Sequence, residues 1–430
     1  MYYQKKFFAL ALLFSGLFLL GCNKDKKDSV TNLDLDKILK LPYSQLEIEE
    51  QKVKLENESL AFLELCNTAK TSPAFEAMQN LNDLLNESTV EFGESTSEKS
   101  TISIKSVKAA VEYADYYGIY TWNASKEDWD WEKSDTELKF VFPANKNAQS
   151  NNAAFSIKAV SSGIVYLDTY YLPKSVTAIL TVDKKEVAKY EFSAEYKDNK
   201  PAPVKTEFKF STGDGYSYWW KIEKGDESQF AMKMSYKNQL MFEALFKTGA
   251  KFDQIFDLIG KEDPSDFYNL LDKVNGYVKL MDDLALVYTI DVAKYAPEAN
   301  KIDADFNALM DALDWNSPDY YSLTGKYKKE ESDKYATAYN NFIKVVLVST
   351  KDNYKIADVT AKSEKIGEYE DCWVWNGTGW ECSGYAKLYD EYGNVPYLRF
   401  GDGTEVAMSA YFSEGFDDLR EALDDYIKRL

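Results

Sequence analysis

The chain has 430 residues and a formal charge of −20, contains no histidine, and carries arginine only at Arg399, Arg420 and Arg429. Without histidine there is no Ser-His-Asp or Cys-His catalysis, no His-ligated zinc and no imidazole pH sensing. Scarce arginine leaves few bidentate clamps for phosphate or carboxylate, and the acidic balance argues against a nucleic-acid partner.

From the N-terminus, Lys5 and Lys6 precede an apolar stretch over Phe7–Leu20 that ends in Leu19-Leu20-Gly21-Cys22. The stretch is short for a spanning helix and charged residues follow at once, the pattern of a cleaved export signal over 1–21. Its end resembles the lipobox of bacterial lipoproteins. The resemblance implies cleavage before Cys22, lipid on that cysteine as the membrane partner, and a body folded in the cell envelope, at the outer membrane. Several acyl chains give lasting attachment where one holds only marginally. Residues 22–36 then read as a solvated tether rich in Lys and Asp.

Residues 37–92 read as a helical hairpin. Ser44 and Glu47 have capping-box spacing, and Ser72-Pro73 supplies an N-cap and N1 proline for a second helix. Gly93–Ser103 is polar, and a short helix is expected around Val107–Tyr113. Over 104–250 the hydrophobic period changes to two, as in Val176–Val182 and Lys205–Phe210. Strands are expected at 118–123, 136–142, 153–160, 164–171, 175–182, 186–196, 204–211, 216–223, 228–236 and 239–248. Turns as short as Asp183-Lys184 and Lys237-Asn238 imply an antiparallel meander.

Helical spacing is read over 251–343, with helix starts at Asp263-Pro264 and Ser317-Pro318. Residues 344–430 read as a small α+β unit: strands at 344–350, 353–360, 396–401 and 404–411, a cysteine hairpin, and a closing helix capped by Ser413. The fold class is therefore α+β: an N-terminal αα-hairpin, a large antiparallel β-meander, a helical segment, then a smaller antiparallel sheet with a C-terminal helix.

In the hairpin, Cys372 and Cys382 flank Trp373-Val374-Trp375-Asn376-Gly377-Thr378-Gly379-Trp380-Glu381. A three-residue loop centred on Gly377 places the cysteines opposite each other, and an oxidising compartment favours a disulfide. Cys66, in an apolar helical run, reads as a core thiol.

Aromatic residues are abundant: 32 Tyr, 24 Phe and 9 Trp. Adjacent Trp219 and Trp220 must point to opposite faces of a strand, so one meets solvent, a helix or a ligand. These two and the hairpin's Trp373, Trp375 and Trp380 are the candidate ligand-binding residues. Asp130, Glu132 and Asp135 beside Trp129 and Trp131 have glycosidase-like composition, but a solvated loop accounts for them. Asp214 and Asp402 sit in Gly-Asp-Gly turns that need no metal. No Walker A loop, GxGxxG, CxxC or GxSxG is present, and no cofactor, metal or catalytic residue is expected.

A looser resemblance, to Bacteroidota lipoproteins without assigned activity, rests on the lipobox, the leading helices, Tyr117–Asn123 and Phe140–Pro143. The expected function is a membrane-anchored, non-catalytic envelope lipoprotein that binds a glycan, peptide or partner protein through aromatic surfaces. The alternatives are a carrier or chaperone of a lipidic ligand in a curved sheet, and a carboxylate-dependent hydrolase.

Overall fold

The computed structural model describes residues 33–69, 71–88, 117–166, 170–225, 227–249, 271–413 and 415–428. The expected export signal over 1–21, Cys22, the segments 93–103 and 107–113, and Asp263-Pro264 lie outside them.

The chain is α+β, and among the described residues the strands form one sheet of sixteen. The first ten are β1 Gly118–Asn123, β2 Asp128–Lys133, β3 Leu138–Phe142, β4 Ala153–Tyr166, β5 Tyr170–Val182, β6 Lys185–Glu195, β7 Lys205–Thr212, β8 Tyr216–Glu223, β9 Ser228–Tyr236 and β10 Gln239–Thr248. They continue directly into β11 Lys273–Leu280, β12 Leu284–Asp291, β13 Ile343–Ser349, β14 Tyr354–Trp375, β15 Trp380–Arg399 and β16 Glu405–Ala407, each paired antiparallel with the next. The expected second, smaller sheet is thus the far end of the first. Among its described residues, the expected helical segment is strand at Lys273–Leu280 and Leu284–Asp291 and helical from Val292. The periodic signal fails there because β11 and β12 are covered on both faces in places: Gly276, Tyr277 and Lys279 are all buried, as are Leu284 and Ala285.

The short turns behave as expected. Asp183-Lys184 and Lys237-Asn238 all have positive φ, the twist a two-residue antiparallel hairpin requires. At the opposite end the meander breaks. β2, read as a loop from the sequence, pairs with β1 as an edge strand, so β3 returns on the other side of β1 and runs parallel to it. Exposed Asp130, Glu132 and Lys133 on that edge discourage pairing with another chain. The expected break between 153–160 and 164–171 is a bulge inside β4 rather than a turn.

Helices cover the sheet. α1 Leu35–Ile38 lies on one face, where Leu33, Leu35, Ile38, Leu39 and Leu41 pack over Trp219, Leu245, Tyr277, Val287, Val346 and Val348. A four-residue helix is held by such burial, at roughly 1.5–3 kcal/mol for each fully buried aliphatic side chain, rather than by propensity. Its Asp34 side chain caps Lys37 N–H. The chain then passes to the other face beyond the end of β15. Pro42 O and Ser44 N–H bond to Lys355, making Tyr43 a one-residue parallel bridge to β14.

On the opposite face lie α2 Ile48–Ala69 and α3 Pro73–Glu87. Ser72 is the N-cap of α3, with Pro73 at the first helical position, as read from the sequence. The expected Ser44/Glu47 capping box is displaced by one turn: Ser44 Oγ accepts from Leu46 N–H, and Glu50 reaches back to Glu47 N–H. α3 packs Ala77, Met78, Leu81 and Leu85 onto the aromatic inner residues of β1 and β3–β8. Cys66 packs, half-buried, with Ala69, Tyr216 and Met241.

Two further helices follow β12, α4 Val292–Asp311 and α5 Tyr320–Phe342. α5 starts two residues beyond Ser317-Pro318. The chain closes with α6 Met408–Ser413 and α7 Asp417–Lys428. Ser413 ends α6, its hydroxyl bonded back to Ala410 O, and does not cap the last helix. The expected strand 404–411 shrinks to β16 because α6 begins at Met408, where Tyr411 turns into the core beside Phe400 and Phe416.

Candidate functional site

β14 and β15 outrun the sheet. Pairing of β14 with β13 stops at Val359, and that of β15 with β16 stops at Tyr397, so residues 360–375 and 380–396 pair only with each other. At about 3.3 Å per residue this ribbon projects roughly 50 Å. α5 braces it from its base to beyond its midpoint. Tyr321 stacks with Tyr369 and Tyr389, whose rings lie 4.9 Å apart and 14° from parallel. The Asn340 side chain donates to Ala361 O and accepts from Ala361 N–H, replacing a missing strand partner. Lys365 and Lys387 cross-link Glu368 and Asp390.

The tip carries the predicted disulfide, Cys372–Cys382, with Cα atoms 4.6 Å apart. The register differs from expectation by one residue. Trp373, not Cys372, faces Cys382, and Trp375 faces Trp380, because a bulge lies between Asp371 and Trp373. The loop has four residues, 376–379, rather than three: Asn376 Oδ1 accepts from Thr378 N–H, Gly379 N–H and the Thr378 hydroxyl, and Asn376 Nδ2 donates to Glu381. This side-chain turn determines the loop length. Trp373 is 49 % exposed at this disulfide-closed end.

Trp219 and Trp220 are placed differently. They do point to opposite faces, but helices cover both. Trp219 is buried against the α1 cluster, its indole N–H donating to Glu207 at 2.7 Å. Trp220 stacks on Phe208 and joins the α3 side of the core. Both therefore pack the interior instead of forming a ligand surface. The acids near Trp129 and Trp131 also separate: register and alternation put both rings with Tyr120 and Trp122 on one face of β2, and Asp130 and Glu132 on the other. Asp130 is held below the usual carboxylate range by Lys126 and Asn123. Asp402 accepts from Thr404 through both carboxylate oxygens, as a turn residue does.

Sequence reasoning missed two cavities whose walls come from distant segments. The larger, about 730 Å³, lies near the α1–β14 crossing. Several of its charges are paired: Asp358 accepts from Tyr43, Arg399 and Lys355, and Lys362 bonds Glu405. Burial works to raise the Asp358 pKa, but these three donors outweigh it and hold the carboxyl below its ordinary value. The second, about 500 Å³, lies between α3, the end of β1 and the β3–β4 connection. Neither has a local sequence signature.

Comparisons with protein-family models, curated proteins and solved structures found no match.

Proposed function

We propose that this chain is a lipid-anchored, non-catalytic protein of the bacterial envelope that uses the ribbon tip to hold a glycan, peptide or partner protein. The observation that carries the reading is the half-exposed Trp373 at the end of a disulfide-closed, helix-braced ribbon. A rigid aromatic presents contact area at low entropic cost, and interface energy concentrates in such anchors. The lipobox-like end of residues 1–22 supplies the anchor. A carrier of lipidic ligands finds no support in the two cavities, whose walls are rich in charged and amide side chains. A two-carboxylate hydrolase finds none in Asp130 and Glu132, which face away from the adjacent tryptophans.

Membrane fractionation and binding assays test the two halves separately. Full-length chain should pellet with membranes and Cys22→Ser should not. Detergent-solubilised chain should bind a component of a glycan, peptide or envelope-protein array, with at least tenfold loss in Trp373→Ala. Equal binding by wild type and Trp373→Ala, or no binding to any array, rejects the tip as the binding element.

A further inference from the structure

The second cavity has a lining rich in amide side chains. Asn80 and Asp83 reach it from α3, Trp122 from the end of β1, and Asn145, Gln149 and Asn151 from the β3–β4 connection. Four of these six side chains are amides, and each amide spends one end on the scaffold. Asn80 Nδ2 donates to Pro143 O at 2.7 Å, Asn151 Nδ2 to Trp122 O at 2.7 Å and Gln149 Nε2 to Asn147 O at 3.0 Å, while Asn145 Oδ1 accepts from Asn147 N–H at 3.0 Å. The opposite ends, three carbonyl oxygens and one NH₂ group, have no partner among the described residues. Each amide thus has one end tied to backbone and the other open to a ligand, with acceptors and a donor to spare.

Trp122 is also held by the scaffold. Its ring meets Trp129 edge-on at 5.4 Å and 69°, and the Trp129 indole donates to Ser88, the residue that follows the helix forming the cavity wall. The cavity's acid, Asp83, is neutralised by Lys146 at 2.8 Å.

We propose that this cleft binds a neutral saccharide. A sugar ring offers an apolar C–H face to an indole and hydroxyls that both donate and accept, which amides match. Asp83, the acid on the lining, is paired with Lys146, which favours a neutral ligand over a cation. The volume lies within the range of roughly 300–1,000 Å³ typical of small-ligand pockets. The site is distinct from the ribbon tip and does not depend on it.

Calorimetric titration of the full chain in detergent with cellotriose, maltotriose, mannotriose and tri-N-acetylchitotriose tests this, with trigalacturonate as the charged comparison. At least one neutral trisaccharide should bind saturably, and Trp122→Ala and Gln149→Ala should each weaken it tenfold or more while Trp373→Ala leaves it unchanged. Because Trp122 also packs on Trp129, Gln149→Ala and Asp83→Asn provide variants that leave the aromatic core intact. The proposal is overturned if none of the four binds, if only trigalacturonate binds, if Gln149→Ala and Asp83→Asn bind like wild type, or if Trp373→Ala abolishes the binding.

Discussion

The Lys54 ammonium lies 2.8 Å from the Asp283 carboxylate, whose side chain is only 3 % exposed, and so ties α2 to the turn between β11 and β12. Asp283 also accepts from the buried Ser349 hydroxyl, and Lys54 reaches Asp352 on the next turn. Burial disfavours the charged lysine, but the hydrogen bonds to Asp283 and Asp352 more than compensate, and its pKa stands above the ordinary lysine value. Lys54→Met strands a buried carboxylate and should destabilise the fold by about 3–5 kcal/mol. The change in urea midpoint measures it. A loss below about 1 kcal/mol would show that the pair contributes no more than an exposed one.

Acid should weaken the crossing of the chain at Tyr43. The Asp358 carboxyl is depressed below its ordinary value near 3.8 by its donors. Its contribution is therefore fully present above that value and is lost as pH falls through the lower folded-state pKa. In denaturant titrations between pH 7 and 2.5, Asp358→Asn should be less stable than wild type at neutral pH, with the gap narrowing below pH 4. A gap that stays constant to pH 2.5 contradicts the assignment.

The ribbon tip should respond locally to reduction. Closing the short loop between Cys372 and Cys382 restrains the open tip by about 3 kcal/mol in the chain-entropy picture. Amide hydrogen exchange over residues 373–381 should accelerate in Cys372→Ser/Cys382→Ser, while the β7–β10 amides stay protected. Uniform acceleration across the sheet would mean that the disulfide supports the whole fold.

Gly276 admits no side chain. A Cβ there would sit 1.9 Å from Leu245 O and 2.7 Å from the Tyr288 hydroxyl, which itself donates across the glycine to Leu245 O. Gly276→Ala must push β11 from β10 and should cost about 1–3 kcal/mol. Because the nearer clash is with backbone, adding Tyr288→Phe should not restore the thermal midpoint; full recovery would place the conflict on the ring instead.

Much of the architecture is legible in local residues. Eight of the ten strands expected over 104–250 recur as separate strands with boundaries shifted by a few residues; 164–171 and 175–182 divide between the end of β4 and β5. Period-two alternation survives where one face is wet, as in β7, whose Phe208 and Phe210 are buried while Lys209 and Ser211 are not. Ser72-Pro73 and the hairpin turns also act within a few residues of themselves. The disulfide belongs here too, since its partners are joined by one short turn.

What local sequence could not decide is what lies on the second face of each strand. β11 and β12 lose their alternation because α1 covers one face and α4 packs on the other, so a helical reading was equally consistent with their apolar spacing. The same uncertainty made Trp219 a candidate for ligand contact until α1 closed over it. Likewise the Lys54–Asp283 pair and the Trp122 cleft join residues far apart in the chain, and no local pattern specifies which amide meets which ring. Sequence alone determined most strands and the cysteine bridge, because those follow from neighbours. Tertiary packing alone decided that the described strands form one sheet, which tryptophans are buried, and where open cavities remain, because burial depends on elements brought together from across the whole chain.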